Sequence, residues 1–346
     1  ILWLQVGSFY EMYIKYNRAT KEYSGSNLLE IVELCNGEIG EKKEYGKDTD
    51  IMMWGFPDVS AEDYKDKIMK YGYTIVIHDQ KKEKNVVVSR ELTETITPGM
   101  YISHYDNNVK ETNNLSCVII KPYNDVSTGT SKYAVGYSNI NIFNGNSQLF
   151  EYRTQNLIID PTTFDELERQ IITNPPNELL MFCDIDNDKY NTLVKYLGIS
   201  EIKISKLGLD CDYYKNSLLK RNVDHCLTEI FGEVQNCSEF FDNQIATQSI
   251  SILISYISKY NPLILKNINM PILNSSYDHV LLANHTLKQL NIIEDGINVN
   301  KKSKMSSVCN FLNNCMSSIG KRGFTDILLN PSTDIEYLQS EYDIIE

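Results

Sequence analysis

No pair among the eight cysteines has the CxxC spacing, which excludes a zinc ribbon and a dithiol redox motif built from neighbouring thiols. Dispersed over a chain of this length, they read as reduced, mostly buried thiols of an intracellular protein. Histidine is scarce. His78, His104, His225, His279 and His285 are the only five, and none stands at ligand spacing from a cysteine or carboxylate, so no metal site is expected. Long apolar runs are missing as well. The most apolar stretch, Ile250 to Ile257, is closed by Lys259 and is too short to span a bilayer. No positively charged leader precedes an apolar core, so no membrane partner is expected. Positive charge is also in short supply, with 33 Lys and Arg against 46 Asp and Glu and a net charge of −13. The average field therefore repels phosphate, and any binding of nucleic acid must rest on a local site.

What is present is length and apolar content. The 346 residues are 42% apolar, enough to give two or three domains a core each. The chain opens at Ile1 directly into a strand-like alternation and closes inside a helical pattern, so it reads as a fragment of a longer protein. In the first block, Leu2, Leu4 and Val6 alternate as a half-buried strand should, and Gly7-Ser8 interrupts them. From Phe9-Tyr10-Glu11-Met12 a helix is expected through Lys21, with Lys15, Arg18 and Lys21 at three-residue spacing on one face. Met52 to Pro57 reads as a short buried strand. Ser60 with Asp63 signals the start of a helix whose stripe is Tyr64, Ile68 and Met69. Tyr73 to Ile77 and Val86 to Thr97 read as strands, the latter stopped by Pro98-Gly99. This block is α/β.

The polar stretch Asp106 to Asn114 is a linker candidate. Beyond it the pattern is three strands (Leu115 to Lys121, Tyr133 to Asn139, Gln148 to Tyr152), a helix (Thr163 to Ile172), a strand (Glu178 to Phe182), a helix (Lys189 to Leu197) and a strand (Ile202 to Ser205). That order implies an antiparallel meander leading into a parallel part with helices on the faces, and it resembles the ribonuclease H-like arrangement. From about Ser238 the composition turns helical. Ile245 to Ile257 is apolar nearly all round and should be buried on most sides. Val308, Phe311, Leu312, Cys315, Met316 and Ile319 share one helical face, and Thr333 with Glu336 makes a capping box for a last helix carrying Ile335, Leu338, Tyr342 and Ile345.

Catalytic constellations fail one by one. Gly320-Lys321-Arg322 has the GK of a phosphate loop, but Arg322 stands where Ser or Thr is required and the upstream glycine is missing. Asp184, Asp186 and Asp188 open like a calcium loop, yet Lys189 and Lys195 occupy the positions of its turn glycine and bidentate carboxylate, which leaves a solvated loop. His78-Asp79 ends a strand without a triad partner. There remains Gly7-Ser8-Phe9-Tyr10-Glu11. An aromatic at a strand-to-helix junction is ordinarily core. The alternative is a wedge that enters a base stack from the minor groove while a polar neighbour bonds a base edge and the duplex bends.

These residues carry a resemblance. Gly7-Ser8-Phe9-Tyr10-Glu11, Trp54-Gly55-Phe56-Pro57, Gly72-Tyr73-Thr74-Ile75-Val76-Ile77-His78-Asp79-Gln80 and Thr97-Pro98-Gly99 resemble, in order, the G-D/K-F-Y-E, G-[FI]-P turn, G-Y-x-V-A-x-x-[ED]-Q and T-P-G signatures of the MutS mismatch-recognition domain. Val135-Gly136-Tyr137 to Gly145 resembles the central hairpin of the family's connector. Asn174-Pro175-Pro176-Asn177-Glu178-Leu179 resembles its P-x-E-L strand entry. Leu281 to Leu290 and Ile319-Gly320-Lys321-Arg322-Gly323 to Pro331 resemble core and lever segments.

The resemblance implies a mixed-sheet mismatch-recognition domain over residues 1–106, a linker at 107–114, a ribonuclease H-like connector over 115–237 and the start of an all-α core and lever over 238–346. It implies that Phe9 intercalates and Glu11 contacts a base, with Gly7 allowing close approach and Lys15, Arg18, Lys81, Lys82 and Lys84 as candidates for phosphate. Lys21 and Arg90 are further local cations. The partners implied are duplex DNA with mispairs or small loops, a second subunit in a homodimer or MutS-type heterodimer, and a MutL-type factor docking on the connector. No cofactor is expected in this chain. ATP and Mg, and the ATPase of a sliding clamp, would belong to a C-terminal part outside it. Ser8 departs from the usual Asp or Lys, and Cys35-Asn36 stands where many members are basic. Two other readings compete, a MutS-like paralogue for junctions or other distorted DNA and a ribonuclease H-like nuclease using Asp184 and Asp186; a third, a pure interaction module, is compatible with the main one.

Overall fold

The computed structural model describes residues 1–44, 48–83, 86–101, 113–125, 129–160, 162–200, 202–232, 240, 242–273, 280, 287, 289–292 and 306–345. Contacts divide the chain into two compact units, one of residues 1–110 with 256–263 and one of 111–255 with 264–346.

The first unit is built on β1 (Leu2–Val6), β2 (Phe9–Asn17), β3 (Glu22–Ser24), α1 (Leu28–Leu34), β4 (Gly40–Glu44), β5 (Thr49–Pro57), α2 (Ala61–Met69), β6 (Ile75–Glu83) and β7 (Val86–Ile96). Its mixed sheet runs β4-β5-β2-β1-β6-β7, with β3 on β2. β1 is antiparallel to β2 and parallel to β6. One face of this sheet carries Trp3, Met12, Ile14, Trp54, Phe56, Ile75 and Ile77, which form a core with Leu28, Ile31 and Val32 of α1 and Ile68 and Met69 of α2. The strand expected at the start is there, but its buried residue is Trp3 at 0% exposure, while Leu2 is 48% exposed. The helices cover the Trp3 face, so the alternation Leu2, Leu4, Val6 marks the other side.

Phe9 to Asn17 is a strand, not a helix, and this overturns the expected shared face of Lys15, Arg18 and Lys21. The deciding pattern is Tyr10, Met12, Ile14 and Tyr16. With a period of two, these residues meet Phe56, Trp54, Met52 and Asp50 across a continuous antiparallel ladder with β5. Hydrogen bonds on both edges and a buried apolar face outweigh the weak interaction that cations at helical spacing would supply. Arg18 to Lys21 form a turn, with Lys21 at φ +57°. α2 lies where expected, although Ser60 makes no side-chain cap bond. α1, β3 and β4 have no counterpart in the sequence reading.

In the second unit every element expected between residues 115 and 205 is present: β8 (Asn114–Asp125), β9 (Thr130–Asn141), β10 (Ser147–Arg153), α3 (Asp165–Thr173), β11 (Glu178–Cys183), α4 (Asn187–Tyr196) and β12 (Lys203–Leu207). The sheet order is β12-β11-β8-β9-β10, extended by β13 (Ile272–Leu273). β8, β9 and β10 form the antiparallel meander, and β11 and β12 add in parallel. β11 is buried at every position, as a central parallel strand should be. Val118, Val135, Tyr137, Phe150, Leu179 and Met181 meet Leu167 and Ile171 of α3 and Leu193 of α4 in one core.

The helices α5 (Asp212–Ser217) and α6 (Lys220–Phe231) precede α7 (Gln244–Tyr260). α7 is buried on nearly all sides from Ile245 to Ile254, as its composition requires. Its N-terminus is held by Glu151 of β10, whose Oε2 accepts from the backbone N–H groups of Ile245 and Ala246 at 2.7 and 3.1 Å. Opposite Glu151 in the ladder stands Gly136. A Cβ there would lie 2.5 Å from the carbonyl carbon of Ile245.

Near the end of the chain lie α8 (Val308–Leu312), α9 (Ser318–Leu329) and α10 (Ile335–Ile345). The face from Val308 to Ile319 does not form one helix. Asn313 leaves the helical region at ψ 94°, its Oδ1 accepts from the N–H of Cys315 at 3.2 Å, and Ser317 caps α9 by accepting from Gly320 at 3.0 Å. Local capping beats the apolar period here, and Met316 is 98% and Ile319 75% exposed. α10 is capped by Asp334, which accepts from Glu336 and Tyr337, and not by Thr333. Leu281 to Leu290 lies mostly outside the described residues. Among the described residues no helix is long and apolar enough to cross a membrane.

Candidate nucleic-acid interface

The hairpin between β1 and β2 has only Gly7-Ser8 in its loop, with Val6 and Phe9 as the closing pair. Gly7 has φ +65°, the conformation a two-residue hairpin turn of the II′ kind requires at its first loop position. Nothing lies within 4 Å of where a Cβ on Gly7 would stand, so the tip is open to close approach.

From this turn the strand's alternation sorts the side chains. Tyr10 goes to the core face, where its ring lies 5.7 Å from that of Trp3 and its hydroxyl donates to Asp79 at 2.8 Å. Burial, reinforced by that hydrogen bond to a carboxylate, pushes its phenol pKa up. Phe9, Glu11, Tyr13 and Lys15 take the opposite face. Phe9 is 45% exposed, so this large aromatic is not core. Glu11 is 9% exposed, and its carboxylate accepts from the Tyr13 hydroxyl.

Gly55 is paired with Glu11 across the ladder. A Cβ on Gly55 would fall 2.7 Å from the carbonyl oxygen of Tyr10 and 3.2 Å from Cγ of Glu11. The glycine therefore belongs to a strand and clears space for a carboxylate, instead of making the turn its signature implied. Gly55→Ala should lower the free energy of unfolding by about 1–3 kcal/mol. A urea titration checks this, and an unchanged midpoint would contradict so close an approach of β5 to β2.

The candidate cations fall into two groups. Lys81 and Lys82 lie at the hairpin end of the sheet, where the Gln80 N–H donates to Gln5 at 2.8 Å and Arg90 donates to the Gln5 carbonyl at 2.9 Å. Lys82 is exposed, and Lys81 is paired with Glu91 at 2.9 Å. Lys15 and Arg18 sit toward the far end of β2. At about 3.3 Å per residue, Lys15 is roughly 20 Å along the strand from Phe9. Lys15 is exposed, whereas Arg18 holds Asp50 through two N–H groups and keeps that carboxyl below its ordinary pKa. Lys84 lies outside the described residues. Asp184 and Asp186 follow β11 in a short loop leading into α4, where Asp186 pairs with Lys189 at 3.3 Å, whereas Asp188 lies in the first turn of α4 and not in the expected loop. Among the described residues no three His, Cys, Asp or Glu side chains are gathered so as to hold a metal ion. Sequence reasoning missed Tyr13 and the spatial role of Gly55. The period of two from Tyr10 to Tyr16 was the available signal for both.

Residues 1–105 match the family described as MutS domain I. A mutS-homologous DNA mismatch repair protein of Acanthamoeba polyphaga mimivirus is 27% identical over 100% of this chain and 33% of its own length. The DNA mismatch repair protein MutS of Fusobacterium nucleatum is 25% identical over 98% of the chain and 34% of its own. That of Caldanaerobacter subterraneus is 24% identical over 100% and 35%. The chain is similar to MutS proteins along nearly its whole length, and to MutS domain I over residues 1–105. It spans about a third of the length of these relatives. Within it, the segment matched to MutS domain I contains the whole described hairpin, its ladder with β5 and every described candidate cation. The second unit falls in the part covered by the full-chain alignments to MutS proteins.

Proposed function

We propose that this chain supplies the mismatch-recognition part of a MutS-type DNA mismatch repair protein. The carrying observation is Phe9: a half-exposed aromatic at the first position of β2, beside an open glycine hairpin, inside the segment that matches MutS domain I. A mispaired step is already poorly stacked. Opening it with an apolar wedge and kinking the duplex costs less there than in paired DNA, so discrimination comes from deformability more than from base identity. Phe9 enters the stack from the minor groove, Gly7 lets the backbone approach, and Glu11 on the same face hydrogen-bonds a base. Lys82 and Lys81, at the same end of the sheet, are placed for phosphates near the wedge, and Lys15 and Arg18 for phosphates farther along.

In this reading residues 115–237 are the ribonuclease H-like connector, a docking surface for a MutL-type factor, and residues 238–346 begin the helical core and lever. The net charge of −13 fits a device that does not grip duplex by charge alone. A dimer, homo- or heteromeric, would encircle the DNA, and ATP with magnesium would act on protein outside these residues.

The test is the affinity of the full-length protein for a duplex with one mispair, the same duplex fully matched, and a four-way junction. The mispaired duplex is expected to bind at least about fivefold more tightly than the matched one, the low end of what one aromatic–base stacking contact contributes. Equal affinities, or a stronger preference for the junction, would overturn the reading.

A further inference from the structure

We infer that Tyr13 is a positioning residue that fixes the carboxylate of Glu11 for its base contact, and so sets part of the discrimination between mispaired and matched DNA. The inference rests on the mismatch reading above. Residues two apart in a strand share a face with Cα atoms about 6.6–6.8 Å apart, a gap the phenol of Tyr13 spans to donate to Glu11. Glu11 lies at 9% exposure, across the ladder from Leu4 on β1 and Gly55 on β5. A carboxylate this buried requires hydrogen-bond donors.

Gly55 makes the arrangement possible, because a Cβ there would press on Glu11 Cγ from 3.2 Å. The carboxylate is thus limited on one side by the sheet and held along the strand by a hydroxyl. The Phe9 wedge stands two residues the other way on the same face. A phenylalanine at position 13 would fill the same space and lose only the donor, so the hydroxyl's part can be isolated.

The experiment is a double-mutant cycle in the full-length protein, with Tyr13→Phe made in the wild-type and Glu11→Ala backgrounds. It reads the ratio of affinities for singly mispaired and matched duplex, with the thermal midpoint of each variant alongside. In the wild-type background Tyr13→Phe should lower the ratio roughly three- to tenfold, the range a net side-chain hydrogen bond supplies, with matched-duplex affinity held and the protein still folded at the assay temperature. In the Glu11→Ala background the same change should move the ratio less than about twofold, since coupled residues are non-additive. An unchanged ratio in the wild-type background, or an equal drop in both backgrounds, would overturn the inference. A wild-type protein with no mismatch preference removes the mismatch reading itself, and the role of Tyr13 with it.

Discussion

Phe9→Ala is expected to reduce the preference for a mispaired duplex by about 5- to 150-fold, the equivalent of the 1–3 kcal/mol per base that aromatic stacking contributes. The loss should appear as weaker binding to the mispair with little change on matched duplex, because only the mispaired step opens cheaply enough for the ring to enter. Folding should hardly change. Phe9 is 45% exposed and stands outside the Trp3, Met12 and Phe56 core, so truncation removes little buried surface. That separation distinguishes a wedge from a structural aromatic. Tyr10, its neighbour in sequence, packs on Trp3 and Phe56 and bonds Asp79; Tyr10→Ala should cost stability first and selectivity only as a consequence. Fluorescence anisotropy on the two duplexes, with thermal midpoints, reads both.

The second large effect is in the other unit. Gly136→Val should destabilise it by about 3 kcal/mol or more, at the upper end of overpacking penalties. β9 is paired on both edges, to β8 and β10, so it cannot move aside, and the incoming Cβ would meet the backbone of α7 at Ile245 and Ala246 at 2.5 and 2.7 Å. The same collision would lift α7 from Glu151, whose carboxylate satisfies two first-turn N–H groups. Glu151→Ala removes that cap without the collision and should cost less, about 1–2 kcal/mol. Urea titrations of both variants order the effects. A Glu151 variant as damaging as Gly136→Val would put the weight on the cap and not on close packing.

How much of this could be read from the residues depended on which local pattern was strongest. The meander and crossovers between residues 115 and 205 were legible because each strand is a short apolar block bounded by turn residues and each helix has one stripe. α7 was legible for a different reason, being apolar nearly all round, the mark of a helix buried on most sides. The strand beginning at Phe9 was not. Its apolar positions are aromatic or long and alternate with charge, and Lys15, Arg18 and Lys21 imitate a helical face whose last two members lie in a turn. At Val308 to Ile319 an apolar period was present, but the side chains of Asn313 and Ser317 cut it. In the candidate site, Phe9 and Glu11 came from a signature and their shared face follows from strand parity. The donor on Tyr13 and the space at Gly55 emerge only when β2 and β5 are set side by side, since 55 and 11 are far apart in sequence.

The central claim is that the Phe9 ring opens a mispaired step, and a fluorescent base analogue placed beside the mispair tests it most directly. Stacked, the analogue is quenched; unstacked, it brightens. Binding of the full-length protein is predicted to raise its emission on the mispaired duplex, to leave it unchanged on matched duplex, and to raise it far less when Phe9 is replaced by Ala at saturating protein. An equal rise with the Phe9→Ala variant, or none with the wild type when the mispaired duplex is fully bound, would contradict the claim.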